Sequence, residues 1–170
     1  FDRSQPPRVL VIGDLMLDRY LWGTCDRVSP EAPVQVVHVA NETYALGGAG
    51  NVVANLASLG AQVELLALAG DDWALPHLTR LLAEKGCDAA GVLVDAARPT
   101  TVKTRLIAAR HQIVRFDVES AAACGAALAS VLLARAAEHL GRAQVVVLSD
   151  YGKGLLQPTL AAELIALCRA

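Results

Sequence analysis

Little of this 170-residue sequence is aromatic: two tryptophans, two phenylalanines and three tyrosines, 4% of the chain. Most of these, Trp22 and Trp73 among them, read as packing residues; Tyr151 stands apart because it sits among polar residues. Charge of one sign is also lacking. Seventeen acids against fifteen bases leave a net −2, so no basic field exists to hold a nucleic-acid backbone or an anionic membrane. The four cysteines, Cys25, Cys87, Cys124 and Cys168, form no CxxC pair and no Cys/His spacing that gathers zinc, which excludes a zinc module and a disulfide scaffold. Scattered thiols of this kind suit a cytoplasmic chain. No apolar run approaches the ~18 residues of a membrane span, and residues 1–8 are polar and proline-containing, unlike a secretion signal.

What is present is apolar and small. Hydrophobic residues make up 54% of the chain and alanine alone fills 31 positions, a composition unlike that of disordered chains and suited to a soluble α/β domain with its own core. Residues 8–13 (RVLVIG), 62–70 (QVELLALAG) and 144–149 (QVVVLS) are continuous apolar runs, the signature of strands buried on both faces of a parallel sheet. Shorter strands are expected at 92–94, 101–108 and 113–118, and helices at 47–60, 72–85, 121–140 and 160–170. The stretch 14–18 reads as an acidic loop. Residues 33–39 and 42–46 read as two strands of an antiparallel ribbon with one wet face. Strands alternating with helices predict a mainly parallel sheet between helical layers. The last helix has no glycine, proline or polar tail to end it, from which a truncated fold is expected.

Ligands of open α/β sheets bind beyond the carboxyl ends of the strands, so the residues just after each run are the candidates. These are Asp14 and Asp18 after the first run; Gly47, Gly48, Gly50 and Asn51 after the ribbon; and Asp150, Tyr151 and Lys153 after the last. Carboxylates and an amide at one sheet edge can bond vicinal hydroxyls, as a sugar requires. Asp14 fits a turn cap equally well. The glycine cluster is neither GxGxxG nor a GKS/T phosphate loop, but it leaves bare backbone at a helix N-terminus, where a ligand can approach. Basic residues gather once, at Lys103, Arg105, Arg110 and Arg115. Lys103 and Arg105 share a strand face that could hold a phosphate. A solvated face is the alternative, since Thr101 and Thr104 look surface-like. The four histidines are isolated and read as structural or exposed.

The segment 47–70, GGAGNVVANLASLGAQVELLALAG, resembles the first signature of the ribokinase, or PfkB-type, carbohydrate kinases, with Val53 where that family prefers a small residue. Four further segments, IGDLMLDRY (12–20), RVSPEAPVQVV (27–37), TVKTRLIAARHQIVRFD (101–117) and LSDYGKG (148–154), resemble in the same order the heptose-7-phosphate kinases of that family. The likeness runs over nearly the whole chain. It implies a three-layer α/β/α ribokinase-like sheet with a small β lid at about 33–46, truncated to its N-terminal, sugar-binding half. It implies transfer of the ATP γ-phosphate, with Mg²⁺, to O1 of D-glycero-β-D-manno-heptose 7-phosphate, giving the 1,7-bisphosphate used for the lipopolysaccharide inner core. Asp18, Gly47, Gly48 and Asn51 match the sugar pocket, with Asp14 a further contact. Lys103 and Arg105 are expected on the 7-phosphate, and Asp150 and Lys153 near the transferring phosphoryl group. A catalytic base would come from a GAGD motif, which this chain does not contain, so the chain by itself is expected to be inactive; no metal ligands are expected within it. A homodimer through the lid is expected as well. The alternatives are a kinase for another sugar or a binding module without turnover.

Overall fold

Of the three continuous apolar runs, two become interior strands of a parallel sheet, while the third, 144–149, lies at its edge with Val145 41% exposed rather than buried on both faces. In the structure, a computed structural model that describes residues 5–169, β1 (Arg8–Gly13) lies between β4 (Gln62–Ala69) and β8 (Val145–Ser149), with β5 (Val92–Val94) beyond β4; all three pairings are parallel. Successive residues of β1 point to opposite faces and so enter two cores. Val9 and Val11 pack with α1 (Ala49–Ser58) and α2 (Ala74–Ala83). Leu10 and Ile12 pack with α3 (Ala126–Leu140) and α4 (Pro158–Arg169). The result is the expected α/β/α layering. Val53 is fully buried in the first core, which accommodates its branched side chain. Of the N-terminal segment and the last helix, residues 1–4 and 170 lie outside the described residues.

A second sheet differs from the sequence expectation in three ways. It has the order β3-β2-β6-β7, built from β2 (Leu15–Val28), β3 (Gln35–Gly48), β6 (Thr101–Ala108) and β7 (His111–Val118). First, 14–18 is no loop: β2 begins at Leu15, and Leu15 and Leu17 enter the first core while Asp18 lies on the other face. The run LML hides that alternation. Second, 33–39 and 42–46 do not fold back on each other but form one strand, β3, antiparallel to β2 from Leu15↔Gly48 to Val28↔Gln35. Ala40-Asn41, between the two expected strands, has no glycine to make a two-residue hairpin; the chain reverses instead before β3, where Ser29 N donates to Val34 O at 2.8 Å. Third, Thr101 and Thr104 are buried, 7% and 3% exposed, because β6 is an interior strand.

Helix α3 also starts later than expected, at Ala126. Residues 119–125 form neither helix nor strand and are fastened by other parts of the chain: Cys124 N donates to Gly154 O at 2.9 Å, and Arg98 Nη2 to Ala122 O at 2.8 Å. Among the isolated histidines, His77 stacks on Tyr44 and His139 meets Glu64, while His38 and His111 are exposed.

Candidate functional site

Parallel pairing of β2 with β6 sets Asp18 opposite Lys103 and Tyr20 opposite Arg105. The three charged side chains therefore share the face opposite Leu17 and Val102, which lie in the core. Arg105 Nη1 donates to Asp18 Oδ1 at 2.6 Å, and this bond raises the pKa of Arg105 above its ordinary value. Its guanidinium also lies 5.3 Å from the centre of the Tyr20 ring. The second carboxylate oxygen faces bare backbone: a Cβ at Gly47 would come within 3.0 Å of Asp18 Oδ2. Each partner is about one-fifth exposed, so the pair is reachable from solvent.

Gly48 turns the chain from β3 into α1 with a φ of +54°, and a Cβ there would lie 2.2 Å from Asp14 O. That carbonyl accepts the N–H of Ala49 at 2.9 Å. No side chain caps α1, so the first-turn donors after Ala49 are left for water or a ligand. Asn51, in that turn, is exposed. Asp14 is only 4% exposed, and its Oδ2 accepts the backbone N–H groups of Tyr151 at 2.8 Å and Lys153 at 3.1 Å. This is the capping use of Asp14. It shapes the loop after β8, in which Gly152 and Gly154 have φ of +68° and +88° and Asp150 Oδ1 accepts Gly152 N at 2.8 Å.

Of the basic cluster, Lys103, Arg105 and Arg115 are matched with acids, as is Lys153, whereas Arg110, in the turn between β6 and β7, meets no acid among the described residues. Lys103 Nζ is 3.0 Å from Asp117 Oδ2 and 3.5 Å from Glu119 Oε2; Lys153 Nζ is 2.9 Å from that same Glu119 oxygen. Lys103 and Arg105 thus share a face, as expected, but attach to different carboxylates, and Lys103 is drawn toward Lys153. Arg115 Nε lies 3.1 Å from Asp117 Oδ1 as an ion pair without hydrogen-bond geometry. Partial burial would raise the Asp117 carboxyl, but the hydrogen bond and charge of Lys103, with Arg115 and Arg105, outweigh it and hold the group below its ordinary value. For Glu119 the Lys153 hydrogen bond is the main cause of a lowered value.

The sequence reading missed Glu119 and Arg98. Glu119 sits in a stretch without motif character. Arg98 is nearly buried; it pairs with Asp95 and donates to the carbonyls of Lys153 and Ala122, joining the β8 loop to residues 119–125. Asp72 was likewise unremarked: its two oxygens accept Ala74 N and Thr100 N, tying α2 to the entry of β6. The only sequence hint was their place beside Gly70 and Pro99. Among the described residues no three His, Cys, Asp or Glu side chains converge in a way that could hold a metal, and no helix is long and apolar enough to cross a membrane.

The bifunctional protein HldE of Citrifermentans bemidjiense is 49% identical over 170 residues, all of this chain and 34% of that protein. The HldE of Campylobacter curvus is 47% identical over 160 residues, 94% of this chain and 34% of that protein. The chain thus spans about a third of the length of these curated relatives. Among solved structures, phosphofructokinase-2 of Escherichia coli with substrates and products superposes with a TM-score of 0.69 at 20% identity, over 96% of this chain and 50% of that one. Its tetrameric inhibited form gives 0.68, also at 20% identity, over 97% and 52%. These likenesses concern the fold. The model of the pfkB family carbohydrate kinases matches residues 6–170. The chain belongs to the pfkB family of carbohydrate kinases.

Proposed function

We propose that this chain is the sugar-binding part of a kinase that transfers the ATP γ-phosphate to O1 of D-glycero-β-D-manno-heptose 7-phosphate, giving the 1,7-bisphosphate on the way to the lipopolysaccharide inner core. The observation that carries the reading is the Asp18 carboxylate, fixed by Arg105 at 2.6 Å and set against the Gly47 backbone on the face that also bears Lys103. A fixed carboxylate accepts two sugar hydroxyls, and Asn51 with the uncapped α1 N–H groups offers donors beside it. Identities of 49% and 47% to two bifunctional HldE proteins support the heptose substrate.

In this reading Lys103 and Arg105 neutralise the 7-phosphate, and Lys153 faces the γ-phosphate, with Asp150 beside it. Phosphoryl transfer asks the protein mainly to position groups and offset charge. ATP is the phosphoryl donor, and Mg²⁺ would arrive with the nucleotide. The base that accepts the O1 proton belongs to a GAGD motif outside these residues. The enzyme works in the cytoplasm as a homodimer through its β lid at about 33–46; the open edge of β3 and the exposed Val34 and Val39 support that interface.

Titration calorimetry of the full-length protein with heptose 7-phosphate tests the assignment. Lys103→Ala and Arg105→Ala should each weaken binding at least tenfold, the range for a charge-assisted bond; undiminished affinity in both removes the phosphate role. Turnover of ribose or fructose 6-phosphate in preference to the heptose would reassign the sugar. Light scattering that finds a monomer at micromolar concentration would remove the dimer.

A further inference from the structure

Lys103 and Lys153 come from different sheets, one from the interior strand of the second and one from the loop after β8 of the first, yet both ammonium groups lie within 3.5 Å of a single oxygen, Glu119 Oε2. Two cations on one oxygen is the arrangement a phosphate oxygen takes between lysines. We propose that Glu119 is an internal counter-anion: it occupies the seat of an anionic group of the substrate between Lys103 and Lys153, and that group binds by displacing it. The inference rests on the kinase reading only for the identity of the ligand, a sugar phosphate, and extends the role of Lys153 from the γ-phosphate to that group.

Three features suit Glu119 to leaving. Its side chain is 36% exposed, so water can take up the freed carboxylate. It follows the last residue of β7 and opens the stretch 119–125, which is neither helix nor strand, so its backbone carries no ladder bonds that a side-chain rotation would break. Lys103 keeps a second partner, Asp117 at 3.0 Å, so displacement does not strand it. A phosphate brings up to two charges and several acceptor oxygens where Glu119 offers one, and it can therefore hold both ammonium groups more firmly. Because the two lysines belong to different sheets, an anion seated there also ties the second sheet to the loop after β8. Glu119 meanwhile keeps both lysines paired and aimed, at the cost of competing with the ligand.

The test uses the full-length protein and inorganic phosphate as probe. Glu119→Gln should tighten phosphate binding about three- to tenfold, the release of two partly exposed ion pairs, and adding Lys153→Ala to that variant should abolish the gain. Unchanged or weaker binding by a variant that melts as the wild type does would overturn the proposal. If Glu119→Gln does not fold, the wild type decides: phosphate should move the Lys103 and Lys153 ammonium NMR signals together at one midpoint, and movement of one signal or neither refutes a shared seat. Failure of the kinase reading is separate, since it is seen as absent heptose 7-phosphate turnover whatever inorganic phosphate does.

Discussion

Asp14→Ala removes one acceptor that two backbone donors share. Oδ2 takes the N–H of Tyr151 at 2.8 Å and of Lys153 at 3.1 Å, on a residue only 4% exposed. A hydrogen bond to a charged acceptor contributes about 1.5–3 kcal/mol, and a buried donor left alone costs a similar amount. Tyr151 is 53% exposed, so water can satisfy part of its loss; Lys153 N is better shielded. The expected destabilisation is therefore about 2–4 kcal/mol, below the sum for two fully buried bonds. Asp14→Asn retains an oxygen at the same place and should lose less than half as much. Urea denaturation of the full-length protein measures both. Because the same bonds set the Lys153 backbone, the proposed turnover of heptose 7-phosphate should fall with Ala and largely return with Asn. An Asp14→Ala protein within 1 kcal/mol of wild type, or an Asn variant as damaged as Ala, would refute the argument that the carboxylate acts through these two N–H groups.

Gly48→Ala should lower stability by about 2 kcal/mol or more on denaturant melts, since φ is +54° and the new methyl would meet Asp14 O at 2.2 Å. Thr100→Val, isosteric but unable to accept Gly70 N at 2.9 Å, should lose about 1–3 kcal/mol. Asp117 and Glu119 both titrate below their ordinary values of 3.8 and 4.5. The folded state binds these protons less readily than the unfolded, so their stabilisation is present above about pH 5 and is lost as pH falls through the lowered folded values. Asp117→Asn with Glu119→Gln should flatten the acid limb of a melting-temperature profile. Burial, with the charges of Asp88 and Glu64, pushes the Cys87 thiol up to about 11, so iodoacetamide at pH 8 should label exposed Cys168 well before Cys87, as peptide mass spectrometry can follow.

The apolar runs sufficed to place β1 and β4, because a strand buried on both faces needs no partner-specific pattern to be recognised; the run of β8 is as apolar, yet it lies at the sheet edge with Val145 41% exposed. The sequence alone also placed the glycine turn into α1 and the shared face of Lys103 and Arg105, which follow from local backbone freedom and from the two-residue period of a strand. The motif likeness extended this to the family. What the sequence left open was decided by pairing between distant segments. β2 looked like a loop because only its register with β3 and β6 sorts Leu15 and Leu17 from Asp18. The ribbon became one strand because its partner lies upstream of it in the chain, across a turn. Asp14 and Glu119 took their roles from residues 137 and 34 positions away, Tyr151 and Lys153. Composition and local periodicity set which segments are strands and helices; which charges meet depends on where the chain crosses itself, and that is fixed only when both cores close.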